Sequence, residues 1–130
     1  MCASHANAQS LTPTPRHLGD AVIRAIAERD GVIGVVLANN FLAHGWTRRD
    51  VTRVIVDVHV RAHLRHIAGI AGWEHVGIGS DLDGGFGRDE TPEEIDSVAD
   101  LHTIGAAVPA AARNGVLGGN WLRFLRSVLG

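Results

Sequence analysis

Asp81 and Asp83 close a segment, Gly77-Ile78-Gly79-Ser80-Asp81-Leu82-Asp83-Gly84-Gly85, in which an apolar strand would end on carboxylates and then on glycines. A carboxylate held there can take a proton from a reacting group or pair with an ammonium. Read as a strand from His75 to Asp83, the segment puts Val76, Ile78 and Ser80 on one face and Gly77, Gly79, Asp81 and Asp83 on the other. That asymmetry suits a β/α barrel, whose branched residues face the outer helices and whose chemistry sits at the C-terminal rim of the strands. The same residues are equally compatible with a simple turn, since Asp and Gly are ordinary turn formers. A phosphate cradle fits less well. Two acids in the loop would repel a dianion, and the chain contains no lysine to offset them. The eight histidines add a second source of chemistry, because imidazole is both a common metal ligand and an acid or base near neutral pH.

Positioning such groups requires a core, and 130 residues that are 45% hydrophobic can supply one for a single domain spanning 1–130. Twelve basic against fourteen acidic residues give a formal charge of −2, without the excess of cations expected of a nucleic-acid binder. The apolar runs are too short to cross a membrane as a helix. Cys2 is the single cysteine, which excludes an internal disulfide and a multi-cysteine zinc site. Met1 to His5 lacks the charged-then-apolar pattern of a secretory signal, so a cytoplasmic location is expected.

The order of elements follows from periodicity. Cys2-Ala3-Ser4-His5 reads as the end of a strand, and Thr12-Pro13-Thr14-Pro15 marks a loop. Leu18 to Arg29 carries a helical apolar stripe, while Gly31 to Ala38 is an unbroken apolar run, as in a strand covered on both faces. Thr47 with Asp50 resembles a helix start, and Val51, Val54, Ile55, Val58 and Ala62 predict a helix reaching about Ile70. After the Gly77–Gly85 segment, Thr91-Pro92-Glu93-Glu94 predicts a helix running towards Ala112 and broken near Pro109. A closing helix is expected from Gly119-Asn120 onwards. Alternating helices and buried strands mean α/β architecture, either a (β/α) barrel or a doubly wound sheet. A barrel needs roughly 250 residues, so this chain would hold only its last portion.

Several blocks, in order, resemble the C-terminal part of the membrane (renal) dipeptidase family of binuclear zinc peptidases. They are Ser4-His5-Ala6, Pro15-Arg16-His17-Leu18-Gly19-Asp20, His63-Leu64-Arg65-His66-Ile67, His75 to Gly84, and Gly118-Gly119-Asn120-Trp121-Leu122-Arg123. The resemblance implies a TIM-like (β/α)8 barrel, incomplete in this chain, and hydrolysis of dipeptides by a zinc-activated water. It implies that His5 ligates zinc, that Arg16 binds the substrate carboxylate, and that Asp81 lies at the substrate's amino end in a catalytic and substrate-binding role. These residue types suit those tasks: imidazole for zinc, a planar guanidinium for a carboxylate, an acid for an ammonium or a proton.

The resemblance also places the family's other metal ligands, a His-x-Asp pair, a bridging Glu and a further His, ahead of the region covered by this chain. The fragment alone is therefore expected to be inactive. Between Val108 and Val116 the chain looks shortened, and His17 stands where the family has Asn. His59, His63 and His66 share one helical face, yet are expected to be structural because no carboxylates surround them. The alternative function is a non-catalytic remnant that folds with a partner or associates with itself to hide open sheet edges.

Overall fold

The computed structural model describes every residue of the chain except Val51 and Thr52. Its α-helices are α1 (Asp20–Ala27), α2 (Asn39–Leu42), α3 (Arg61–Ala71) and α4 (Asn120–Leu129), and its strands are β1 (Ile33–Val35) and β2 (Val76–Ile78). The strands pair in parallel with Ile33 opposite Val76 and Val35 opposite Ile78, and Ala3 bridges in parallel to the other side of β1 at Ile33. Hydrogen bonds extend this ladder past the strand ends, from Gly79 N–H to the Val35 carbonyl at 3.0 Å and from Leu37 N–H to the Ser80 carbonyl at 3.2 Å. The spatial order is therefore the Ala3 segment, β1, β2, with α1 and α3 in the two crossovers. Neighbours in space are neighbours in sequence. Such an order occurs in a barrel and also within either half of a doubly wound sheet.

Burial explains why each element forms. Ile33 and Val35 are fully buried, as a strand covered on both faces requires. In α3 the buried residues His63, Leu64, Ile67 and Ala68 make one helical stripe, and the helix stops at Gly72, whose φ of 93° suits glycine. α1 buries Ile23 and Ile26 and opens on Asp20, a carboxylate suited to the positive end of the helix dipole. α4 is attached largely by polar groups. Asn120 Nδ2 donates to the carbonyls of Trp73 at 2.8 Å and Val76 at 2.7 Å, while Trp121 Nε1 donates to the Ile78 carbonyl at 3.0 Å. Arg123 reaches the Glu74 carbonyl at 2.9 Å and the Asp30 carboxylate at 2.6 Å. The Asn-Trp-x-Arg run is thus a clasp between the last helix and β2. Leu122, Leu125, Val128 and Leu129 of the same helix remain exposed.

Two expected helices differ. The start at Val51 lies outside the described residues, 53–55 is not helical and Ile55 is extended, so helical structure begins with a wide turn at Val56–Val60 that leads into α3. The Thr47–Asp50 pair closes a local turn instead, with Thr47 N–H donating to Asp50 Oδ2 at 2.5 Å. The helix predicted from Thr91 starts later, as a tight 3-10 run at Val98–Ala107. Thr91 is spent elsewhere: its hydroxyl is 2.8 Å from the Arg88 carbonyl and 2.7 Å from that of Ile95, which holds a turn closed. The start belongs to Ser97, whose N–H donates to the Asp100 carboxylate at 2.8 Å. No helix among the described residues is long and apolar enough to cross a membrane.

Candidate active site

The C-terminal ends of the parallel segments gather the candidate residues. His5 follows the Ala3 bridge by two positions, and Ala6 N–H still donates to the Gly34 carbonyl at 2.9 Å. Ser4 backbone lies so close to Gly34 and Gly79 that a methyl group on either would collide with the Ser4 carbonyl, and a methyl on Gly79 would stand 3.1 Å from the His5 Cα. The glycines of the strand segment therefore let the His5 segment approach the β2 end. At Gly77 the neighbour is the Trp121 indole instead.

Arg16 is carried by a loop whose ends are tied together, with Leu18 N–H donating to the Asn7 carbonyl and Gln9 N–H to that of Leu18, both at 2.9 Å. Its Nη2 donates to the His5 carbonyl at 3.3 Å, and its guanidinium lies 4.7 Å from the centre of the Phe41 ring. A cation over an aromatic face is attracted by the ring quadrupole, so Phe41 helps fix the fork. His5 Nδ1 is 2.7 Å from Ser4 Oγ, an arrangement that can orient the ring and leave Nε2 for a ligand.

Phe41 and Asn7 are functional supports that sequence reasoning missed. The Asn7 side chain is fully buried and joins the end of β1 to α2, donating to the Val36 and Phe41 carbonyls at 3.1 Å each while accepting from Val36 N–H at 2.9 Å. His17 completes the same network. Its Nδ1 accepts from Asn7 N–H at 3.3 Å, so Nε2 carries the proton and donates to the Phe41 carbonyl at 3.2 Å. Burial pushes the His17 pKa down against the Phe41 contact, and the nearby Arg16 charge pushes the same way, which keeps the ring neutral in this bridge. A polar residue just after the histidine and a lone aromatic after the next strand were the available signals; Asn gives no hint of burial by type.

Asp81 stands immediately after the last ladder hydrogen bond, in the left-handed region at φ 56°, and Asp83 follows at φ 71°. Its carboxylate lies over Gly84, where a side chain would collide with it, and Gly84 N–H donates to the Asp81 carbonyl at 2.9 Å. Arg16 and His5 are thus in contact, and Asp81 lies two residues beyond Gly79, whose backbone is beside His5. A cavity of about 370 Å³ begins at Leu82 and Asp83 and extends to Phe86, Arg88 and Val98.

The φ at position 81 separates the turn and site readings. Left-handed backbone costs a non-glycine residue about 1 kcal/mol, which glycine avoids. If the carboxylate is held for function, Asp81→Gly should raise stability in a urea titration by about that amount. A loss of stability would mean that the carboxylate builds the turn.

His59, in the wide turn before α3, and His63 and His66 of α3 are each held by hydrogen bonds, and the expectation that no carboxylate surrounds them fails at His66, which meets Asp20. His63 is fully buried, its Nδ1 accepting from Ala8 N–H at 3.2 Å and its Nε2 lying 3.2 Å from the Leu42 carbonyl. His59 Nδ1 accepts from Ile55 N–H at 3.1 Å. His66 Nε2 lies 2.8 Å from Asp20 Oδ1 and 3.0 Å from Ser10 Oγ. Serine and aspartate share one ring nitrogen there, so the trio is not a nucleophilic triad, which needs them on opposite nitrogens. Among the described residues no three His, Cys, Asp or Glu side chains come together to hold a metal ion. A catalytic zinc takes about three protein ligands. His5 brings one imidazole, and the residues present do not fit a binuclear zinc centre by themselves.

The chain is similar to known proteins in sequence and in fold. A metallo peptidase from Rhodobacter sphaeroides, solved with a phosphinate mimic of the dipeptide L-Ala-D-Ala, superposes with a TM-score of 0.81 at 29% identity, over 96% of this chain and 35% of that one. An uncharacterized protein from the pqqA 5' region of Klebsiella pneumoniae is 37% identical over 98% of this chain and 46% of its own length. Dipeptidase ataJ of Aspergillus terreus is 30% identical over 96% of this chain and 30% of its own. The chain thus spans less than half the length of these relatives. The model of the membrane dipeptidase family, peptidase family M19, matches residues 1–129, and the chain belongs to that family of metallopeptidases.

Proposed function

We propose that this chain is the C-terminal portion of a TIM-like (β/α)8 dipeptidase barrel and supplies the substrate-reading side of its rim. Arg16 holds the C-terminal carboxylate of a dipeptide, Asp81 pairs with its free amino group, and His5 contributes one imidazole to a zinc centre whose other ligands come from the rest of the barrel. The observation that carries this reading is the 3.3 Å contact of Arg16 with the His5 carbonyl, made while the guanidinium rests on Phe41. One of five N–H donors is used for that contact, and the remaining fork can take a carboxylate bidentately. The sequential order of the three parallel segments is compatible with a barrel.

A second reading, a non-catalytic piece that folds against a partner or a second copy, is favoured by the exposed apolar stripe of α4. Both readings need something to cover that stripe; only the first needs Arg16 to touch substrate.

Arg16→Lys tests the difference in a completed barrel. Lysine keeps the charge and loses the planar fork, so kcat/KM on a dipeptide should fall by roughly 10²-fold, about the worth of a charged hydrogen-bonded contact. On the C-terminal amide of the same dipeptide, the loss should be several-fold smaller. Equal losses on both substrates would mean that Arg16 does not read the carboxylate.

A further inference from the structure

The cavity of about 370 Å³ that begins one residue after Asp81 has two kinds of surface. Its apolar walls are Leu82, half-buried against the core, Phe86, also half-buried, and Val98, which opens the 3-10 run and is 70% exposed. The size falls at the low end of the roughly 300–1,000 Å³ of small-molecule sites, enough for one aliphatic or aromatic side chain.

The polar groups of the lining are committed to near neighbours. Buried Thr91 sets its hydroxyl between the Arg88 and Ile95 carbonyls, Gly87 N–H donates to Glu90 Oε2 at 3.0 Å, and Ser97 spends both its N–H and its hydroxyl on Asp100. Arg88 Nε lies 3.2 Å from the Asp96 carboxylate. Groups already bonded locally gain little from a polar guest, whereas the apolar walls shed water to an apolar one. Asp83 is the charged lining side chain left without an ion pair among the described residues, and it stands two residues from Asp81. The side chain of an amino acid branches from the same carbon as its ammonium. Leu82 follows Asp81 directly, about 3.8 Å on between Cα atoms, so an ammonium held at Asp81 starts its side chain at the apolar wall.

We propose that this cavity takes the side chain of the dipeptide's amino-terminal residue and selects an apolar one, with Leu82, Phe86 and Val98 as its specificity-determining residues. The assignment rests on the dipeptide reading above, in which Asp81 holds the free amino group.

The test is an NMR titration of the whole chain with leucyl-glycine, its sequence isomer glycyl-leucine, and glycyl-glycine. Leucyl-glycine should shift the Leu82, Phe86 and Val98 side-chain signals and bind roughly tenfold more tightly than glycyl-glycine, the worth of burying one leucine side chain. Glycyl-leucine, with the same composition, should leave those three signals in place. Val98→Asp puts a charge in the apolar wall at an exposed position, where the fold is not at stake. It should bring leucyl-glycine to within about twofold of glycyl-glycine, and a full preference kept by this variant would count against the subsite. Equal binding of leucyl-glycine and glycyl-glycine, with shifts at Arg16 and Asp81 but none at Phe86, would overturn the subsite and leave the dipeptide reading standing. Shifts of Phe86 and Val98 as large with glycyl-leucine as with leucyl-glycine would overturn the assignment to the amino-terminal residue. Leucyl-glycine moving Phe86 and Val98 but neither Arg16 nor Asp81 would uphold the apolar cavity and remove the dipeptide reading. With no shift of the three walls by leucyl-glycine, the proposal would fall.

Discussion

The isolated chain is expected to hydrolyse dipeptides no faster than buffer, with or without added zinc. Enzymes of hydrolysis accelerate their reactions by at least about 10⁶-fold, so losing the centre is the largest effect foreseen for this protein. The reason is ligand count. His5 is the imidazole that the resemblance assigns to zinc, and among the described residues no trio of metal-binding side chains assembles around it. Arg16 and Asp81 can bind and orient a dipeptide, but orientation without an activated water leaves the peptide bond intact. The isolated chain should therefore bind dipeptides weakly without turning them over, and calorimetry together with a ninhydrin assay would show both halves of that statement.

Acid is expected to destabilise the fold through His63. Burial pushes its pKa from 6.5 down to about 4, against the pull of the Leu42 carbonyl and with help from His17, His66 and His59, whose charges would oppose its own. The unfolded chain therefore takes up the proton first as pH falls. The stability that neutral His63 supplies is complete above 6.5 and is lost between 6.5 and about 4. At 1.36 kcal/mol per pKa unit, the loss amounts to about 3 kcal/mol, a large share of an ordinary domain's stability. Geometry agrees with the sign: Nδ1 accepts from Ala8 N–H, and a protonated ring has no lone pair there. Urea titrations across this range should give a much steeper pH dependence for the native chain than for His63→Gln, which cannot titrate. Equal slopes would show that another group governs acid unfolding. His63 bridges α3 to the start of the Arg16 loop, so the same protonation should loosen that loop.

Much of the arrangement was legible because it rests on one-dimensional patterns. The apolar run at 31–38 could only be buried, and Gly-Asn-Trp at 119–121 correctly marked the start of α4. Asp81 after an apolar strand was visible as a site candidate because strand parity and glycines are local signals. What escaped was decided by partners far away in sequence. The Thr91-Pro92-Glu93-Glu94 signal for a helix is locally sound, but the Thr91 hydroxyl closes a turn with Arg88 and Ile95, and Glu94 accepts from Val56 N–H at 3.0 Å. Asn7 and Phe41 were invisible as supports of Arg16 because their roles exist only after the strand ends meet. Asn39 opens α2, and its buried, unpartnered oxygen is a property of packing that residue type does not disclose.

Completing the barrel tests the account most directly. The chain would be expressed joined behind the part of the Klebsiella pneumoniae relative that it does not match, and dipeptide hydrolysis measured with zinc, with chelator, and beside the isolated chain. The account predicts chelator-sensitive turnover from the joined protein and none from the isolated chain. Robust zinc-dependent hydrolysis by the isolated chain, or a folded, zinc-loaded hybrid that leaves every dipeptide intact, would contradict it.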